Sequence, residues 1–238
     1  MCLPRILLVG IMLAALAVNA VAQQSRITIT FNGKTYDLET RGAVDRDNLW
    51  QFEQGGLKKL FVCWDNPQDQ FAKEMEAVKA AVIASWQANS GLQFIGWGPC
   101  MKNSPGIRIL IKDDAKDGPQ VMAFGRKLNG VENGMILNFT FKKWMPACQQ
   151  GPMLTWIQRI AVHEFGHALG FRHEQDRDDT IGKDTNGEAC KNLKTGPNPD
   201  WHLTTYDAKS IMNYCFCEAS SDLSEFDVLS VQALYGRP

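Results

Sequence analysis

Histidine is scarce in this 238-residue chain, at four copies, and an excess of either charge is missing: 25 basic residues face 26 acidic ones, a net of −1. Nothing is left over to neutralise a phosphate backbone, which argues against a dedicated nucleic-acid binder. No internal run reaches the ~18 apolar residues of a membrane span. No Cys-x-x-Cys pair occurs, and Cys215-x-Cys217 is too close for a structural zinc half-site. Repeats and low-complexity stretches are absent, and 45% hydrophobic against 21% charged residues excludes disorder, collagen and coiled coil. What remains is one domain of ordinary size with a sizeable core.

The N-terminus reads as an export signal. Arg5 precedes an apolar run from Ile6 to Val18, and Ala20-Val21-Ala22 supplies small residues for a signal peptidase. Residues 1–22 are the expected signal, with cleavage after Ala22 or alternatively after Ala20; an uncleaved anchor is the competing reading, disfavoured because the run is short for a span. Their removal takes Arg5 and leaves 24 basic against 26 acidic residues. The expected location is secreted, extracellular or periplasmic, with no membrane contact once the signal is gone. Six cysteines remain, Cys63, Cys100, Cys148, Cys190, Cys215 and Cys217. An even count in an exported chain points to disulfides, and spacing does not choose among their pairings.

Alternating apolar residues on either side of Asn32-Gly33 predict a hairpin over residues 26–40. A polar connector, 41–56, follows. Strands are expected at Leu57–Trp64, Leu92–Trp97, Ile107–Ile111, Val121–Arg126 and Gly134–Phe139. Helical spacing of Phe71, Met75, Val78, Val82 and Trp86 predicts a helix over Gln68–Asn89. A second long helix opens at Pro152 and ends at Gly170, and a last one spans Glu225–Tyr235. Residues 172–209 read as an ordered loop region. Asp176, Asp178, Asp179 and Asp184 lie there without the spacing of a calcium loop and are expected to be solvated. The sequon Asn138-Phe139-Thr140 overlaps a strand and is expected to be unused, and the scattered tryptophans read as core.

Three of the four histidines fall within eleven positions. His163 and His167 stand four apart on the second helix, so both imidazoles project from one face. Gly170 permits a left-handed turn that returns His173 toward them. Three neutral imidazoles leave a fourth position open, the arrangement of one catalytic Zn2+. Glu164, beside the first ligand, is placed to act as general base.

His163-Glu164-x-x-His167-x-x-Gly170-x-x-His173 resembles the signature of the metzincin zinc endopeptidases. Glu174 after the third histidine resembles the astacin family, as does Ser210-Ile211-Met212-Asn213-Tyr214, which is similar to the astacin Met-turn; Tyr206-Asp207 suits it too. The ending Leu223-Ser224-x-x-Asp227 to Leu234-Tyr235-Gly236 looks more like a matrix-metalloprotease C-terminal helix. The resemblance covers roughly residues 57–238. It implies an α+β metzincin zinc-protease fold: a twisted mixed sheet, two long helices, a Met-turn and a C-terminal helix. It also implies a zinc metalloendopeptidase that hydrolyses peptide bonds with a zinc-bound water, Glu164 as general base, and Tyr214 as a resting ligand or oxyanion donor. A protein or peptide substrate would pair as a strand with the Val121–Arg126 edge, and a monomer is expected. The competing readings are a catalytically silent binding protein on the same fold, which would more often lack Glu164, and a zinc hydrolase acting on a non-peptide bond.

The family's aspartate switch, Phe-x-Gly-Asp, is missing: residues 31–37 read FNGKTYD. Residues 23–56 are therefore either a hairpin kept in the mature protein or a short propeptide. In the first case Glu174 needs another partner, Arg172 or Arg177. Cys63 is expected in a disulfide rather than as a zinc-blocking thiolate, with Cys63–Cys100 and Cys190–Cys215 as the expected pairs.

Overall fold

A computed structural model describes residues 27–31, 34–38, 44, 46–144, 151–184, 186–197, 199, 202–215 and 220–238. The expected signal segment, the Asn32-Gly33 turn, Cys148 and Cys217 lie outside these. The N-terminal hairpin is present, β1 (Ile27–Phe31) pairing antiparallel with β2 (Lys34–Leu38). The main sheet holds β3 (Lys58–Trp64), β4 (Leu92–Pro99), β5 (Ile107–Ile111), β6 (Gln120–Val121) and β7 (Met135–Leu137). Its order is β4-β3-β5-β7-β6, parallel throughout except for the antiparallel edge strand β6. The central strand β5 has almost no exposed position, as its apolar run requires. Helices α1 (Ala72–Val82) and α2 (Met153–Ala168) pack together, and α3 (Glu225–Tyr235) closes the chain. The α+β metzincin architecture expected from the motifs is borne out.

Three sequence expectations change. The Val121–Arg126 strand is only Gln120–Val121, and Gly125–Leu128 forms a 3-10 turn. Gly125 adopts φ +55°, and a Cβ there would lie 1.9 Å from the Asn48 carbonyl oxygen, so the chain folds tightly over the Arg46–Asn48 turn instead of extending the edge. The first helix does not run regularly from 68 to 89: α1 gives way to a π turn at Ile83–Gln87, in which the Ala88 amide donates to the Ile83 carbonyl. That turn puts the Trp86 ring fully inside, its indole donating to the Val162 carbonyl at 2.7 Å. The Gly134–Phe139 strand stops at Leu137 because the Asn138 side chain accepts from the Thr140 and Phe141 amides and curls the backbone.

A bulge adds a further detail. The β3–β4 register shifts between Val62 and Cys63, opposite Gly96 and Trp97 with φ +98° and +67°. The extra residue breaks the strict in–out alternation, and the Trp97 ring stacks on Phe165 of α2 at 5.7 Å. Both expected disulfides are formed, Cys63–Cys100 and Cys190–Cys215. Among the described residues no helix is long and apolar enough to cross a membrane.

Candidate metal centre

The C-terminal half of α2 is buried from Ala161 to Ala168, an unusual place for a helix end with unpaired carbonyls. Each carbonyl finds a donor. Gly170 N donates to His167 O, and Phe171 N to Gly166 O. The Trp50 indole donates to Ala168 O at 2.7 Å, and the Tyr235 hydroxyl to Leu169 O at 2.6 Å. Gly170 takes φ +102°, the left-handed turn expected of it, and the chain doubles back so that Phe171 bridges Val44. His173 then arrives over the face that carries His163 and His167.

The three rings lie with centroids 4.5–5.3 Å apart, and one nitrogen from each falls within 4.8 Å of the other two. Each Nδ1 already has a partner: Ile211 O for His163 and Phe171 O for His167, both at 2.7 Å, and the Thr195 hydroxyl for His173 at 2.6 Å. Those partners turn the Nε2 atoms inward. His163 Nε2 is buried without a hydrogen bond, while those of His167 and His173 face each other at 2.9 Å. Burial, reinforced by repulsion from the neighbouring histidines, holds His163 well below the usual histidine pKa and His167 at about 3. Convergent imidazole nitrogens that meet only one another are what a divalent cation of the zinc type needs, so the residues fit that ion.

Glu164 is 2% exposed, and its Oε2 has no hydrogen-bond partner. Burial alone raises its carboxyl to about 8. A dication at the histidines would act in the opposite sense and favour the carboxylate. Tyr214 packs its ring 4.5 Å from His163 and 4.7 Å from His173 and stays half-exposed, at the rim of the site. Thus His163, His167, His173, Glu164 and Tyr214 are gathered into one place.

Met212 lies beneath. A Cβ on Gly166 would come within 2.3 Å of its sulfur, so any side chain at the second variable position of the histidine motif has to push the thioether aside. The Met-turn is fastened from below by Asp227, which accepts from Ser210 Oγ, the Ile211 amide and the Ser224 amide at 2.7–3.0 Å. Asp227 also completes the capping box that starts α3. Gln175, fully buried, accepts from the Tyr214 amide at 3.1 Å.

Of the two arginines considered for Glu174, Arg177 is the partner, at 3.3 Å, and the Asp207 amide donates to the same oxygen at 2.8 Å. Arg172 instead lies over the Phe124 ring, 3.8 Å from its centre. Burial still outweighs these contacts and raises Glu174 to about 8. The acidic loop is not uniformly solvated as expected. Asp176 is 3% exposed and accepts from the Thr195 and Gly196 amides. Asp178, Asp179 and His202 also bring three donors within 4.8 Å, but Arg177 occupies both oxygens of Asp179. Thr195, Gln175, Phe124 and the roles of Asp176 and Asp227 at the site escaped the sequence reading, since no local spacing marks them.

Residues 156–233 match the family model described as Astacin (Peptidase family M12A). The zinc metalloproteinase nas-2 of Caenorhabditis elegans is 30% identical over 117 residues, 47% of this chain and 36% of that protein, so the aligned part spans about a third of the relative's length. Among solved structures, myroilysin superposes with a TM-score of 0.56 at 19% identity, covering 82% of this chain and 98% of its own. High choriolytic enzyme 1, a hatching-enzyme zinc-protease from the medaka fish Oryzias latipes, gives 0.52 at 18%, covering 81% and 96%. At such identities the superpositions establish the fold. The family-model match and the nas-2 alignment bear out the resemblance to the astacin family.

Proposed function

We propose that this chain is a secreted zinc metalloendopeptidase that acts as a monomer on proteins or peptides. The observation that carries the reading is the convergence of two buried imidazoles and a third, partly buried one, their Nδ1 atoms engaged and their Nε2 atoms turned together, beside a buried carboxylate with an unpartnered oxygen. His163, His167 and His173 would hold one zinc ion, which supplies Lewis acidity to a water and to the scissile carbonyl.

The chain's own residues then account for the proton traffic. Glu164 accepts a proton from the attacking water and passes it to the leaving amine nitrogen. Its dry surroundings keep it from being diverted into a salt bridge: among the described residues, Oε2 meets no donor. The Tyr214 phenol, at the rim, donates to the developing oxyanion. The short β6 edge offers backbone groups to an extended substrate. A silent binding protein is disfavoured because Glu164 is present beside the first histidine and buried, with its Oε2 unpartnered among the described residues.

Cleavage of casein by purified protein, abolished by a zinc chelator and restored by zinc, tests the reading. Glu164→Gln should retain zinc yet lose about 10²-fold or more in turnover, since an amide cannot take the proton. Near-normal turnover by that variant would remove Glu164 from the role and reopen the reading of a different zinc hydrolase.

A further inference from the structure

The three histidines are not oriented alike. Two give their Nδ1 hydrogen to backbone carbonyls, His167 to Phe171 four residues on and His163 to Ile211 in the Met-turn. The third, His173, meets a side chain from a distant loop, Thr195 Oγ1 at 2.6 Å. That hydroxyl is held in place by Asp176, whose Oδ1 accepts from the Thr195 amide at 2.7 Å and the Gly196 amide at 3.1 Å, and lies 3.5 Å from Thr195 Oγ1 itself. Asp176 Oδ2 stands 3.6 Å from His173 Nδ1. Gly196 permits the approach, because a Cβ there would fall 2.9 Å from Asp176 Oδ2. Upstream, the loop issues from the Cys190–Leu193 turn, anchored to Cys215 beside Tyr214 by a disulfide.

We propose that Thr195, clamped by Asp176, is a positioning residue for the third zinc ligand: His173 Nδ1–H donates to the Thr195 hydroxyl, which faces the Asp176 carboxylate. The inference rests on the zinc reading above. The imidazole of His173 sits on irregular chain rather than on a helix, so which nitrogen faces its fellow ligands rests on the Thr195 hydroxyl and on the Asp176 carboxylate behind it, whose Oδ2 stays at the longer distance of 3.6 Å. A hydroxyl backed by a buried carboxylate both selects the Nε2-free tautomer and raises the basicity of the ring as a ligand.

The test is zinc affinity and zinc release, measured on the full chain by competition with a chromogenic chelator, so that peptidase activity is not needed as the readout. Thr195 is exposed, which makes substitution there compatible with folding. Thr195→Val should weaken zinc by about 10- to 100-fold, the usual effect of losing an outer partner of a ligating histidine, and Thr195→Ser should restore it. Gly196→Ala, which pushes the loop off Asp176 without altering any of the hydrogen-bonding side chains, should weaken zinc in the same direction and serves if Thr195→Val folds poorly. Zinc held by Thr195→Val within twofold of the parent, or a serine variant as weak as the valine one, overturns the proposal. His173→Ala separates the two levels: a parent chain that binds no zinc, or binds it equally well without His173, sinks the zinc reading itself and this proposal with it.

Discussion

Position 166 faces the Met212 sulfur so closely that even a methyl side chain needs something to move. With a Cβ 2.3 Å from Met212 Sδ and 3.1 Å from Trp86 Cζ2, Gly166→Ala must displace the Met212 thioether, the Met-turn or α2, and both Met212 and Trp86 are buried. Overpacking of this kind costs about 1–3 kcal/mol. Thermal unfolding should register that loss, and an unchanged melting temperature would mean the sulfur has room to move. Tyr214 is a different case, because half its surface is open and its ring leans on two of the imidazoles without being locked among them. Tyr214→Phe keeps those ring contacts and removes only the phenol. It should lower kcat with little change in KM if the hydroxyl acts on the transition state, whereas a pure rise in KM would assign the tyrosine to substrate binding.

At the scale of elements, the end of β7 is held by one carboxylate. Asp113 receives the Thr140 hydroxyl, the Asn138 amide group and the backbone amides of Lys142, Lys143 and Trp144. Partial burial pushes its carboxyl up, but these donors override it and hold the pKa at about 2. A folded pKa below the unfolded value, about 3.9, means the stabilisation is complete above pH ~4 and is lost as pH falls through about 2. Melting temperature between pH 4 and 2 should therefore fall less steeply in Asp113→Asn than in the parent, although the variant starts lower. Parallel slopes would show that the carboxylate does not govern acid stability. The same cluster supports the expectation of an unused sequon: the Asn138 nitrogen is committed to Asp113, and the residue is 2% exposed.

For the whole molecule the open question is where the mature chain begins. Val44 is buried and bridges Phe171, Asn48 is buried, and the Trp50 indole closes the end of α2. The connector is thus built into the body that carries the histidines, and Glu174 is already matched by Arg177 without help from a new amino terminus. Retention of the hairpin follows as the expectation: N-terminal sequencing of active secreted protein should start near Gln23. A start between Arg41 and Leu57 would make the hairpin a propeptide and overturn this expectation.

How much of this was legible beforehand depends on the range of the interaction. The meeting of His163, His167 and His173 could be read from spacing because a helical turn and a glycine-permitted left-handed turn are local geometry, decided within eleven residues. The strands β3 and β5 and helix α3 were likewise legible, since apolar runs and their periodicity are short-range signals. The π turn at 83–87, the bulge at Gly96–Trp97 and the two-residue edge strand were not, because each is imposed by a distant neighbour: the Val162 carbonyl, β3 with Phe165, and Asn48. The buried Arg108–Asp65 pair, at 2.6 Å and 43 residues apart, belongs to the same group. So the sequence by itself determined the fold class and which imidazoles converge. Only the tertiary structure decided what holds each Nδ1, what lies under Gly166 and which arginine answers Glu174, since burial removes water as an alternative partner and lets whichever polar group the fold delivers take its place.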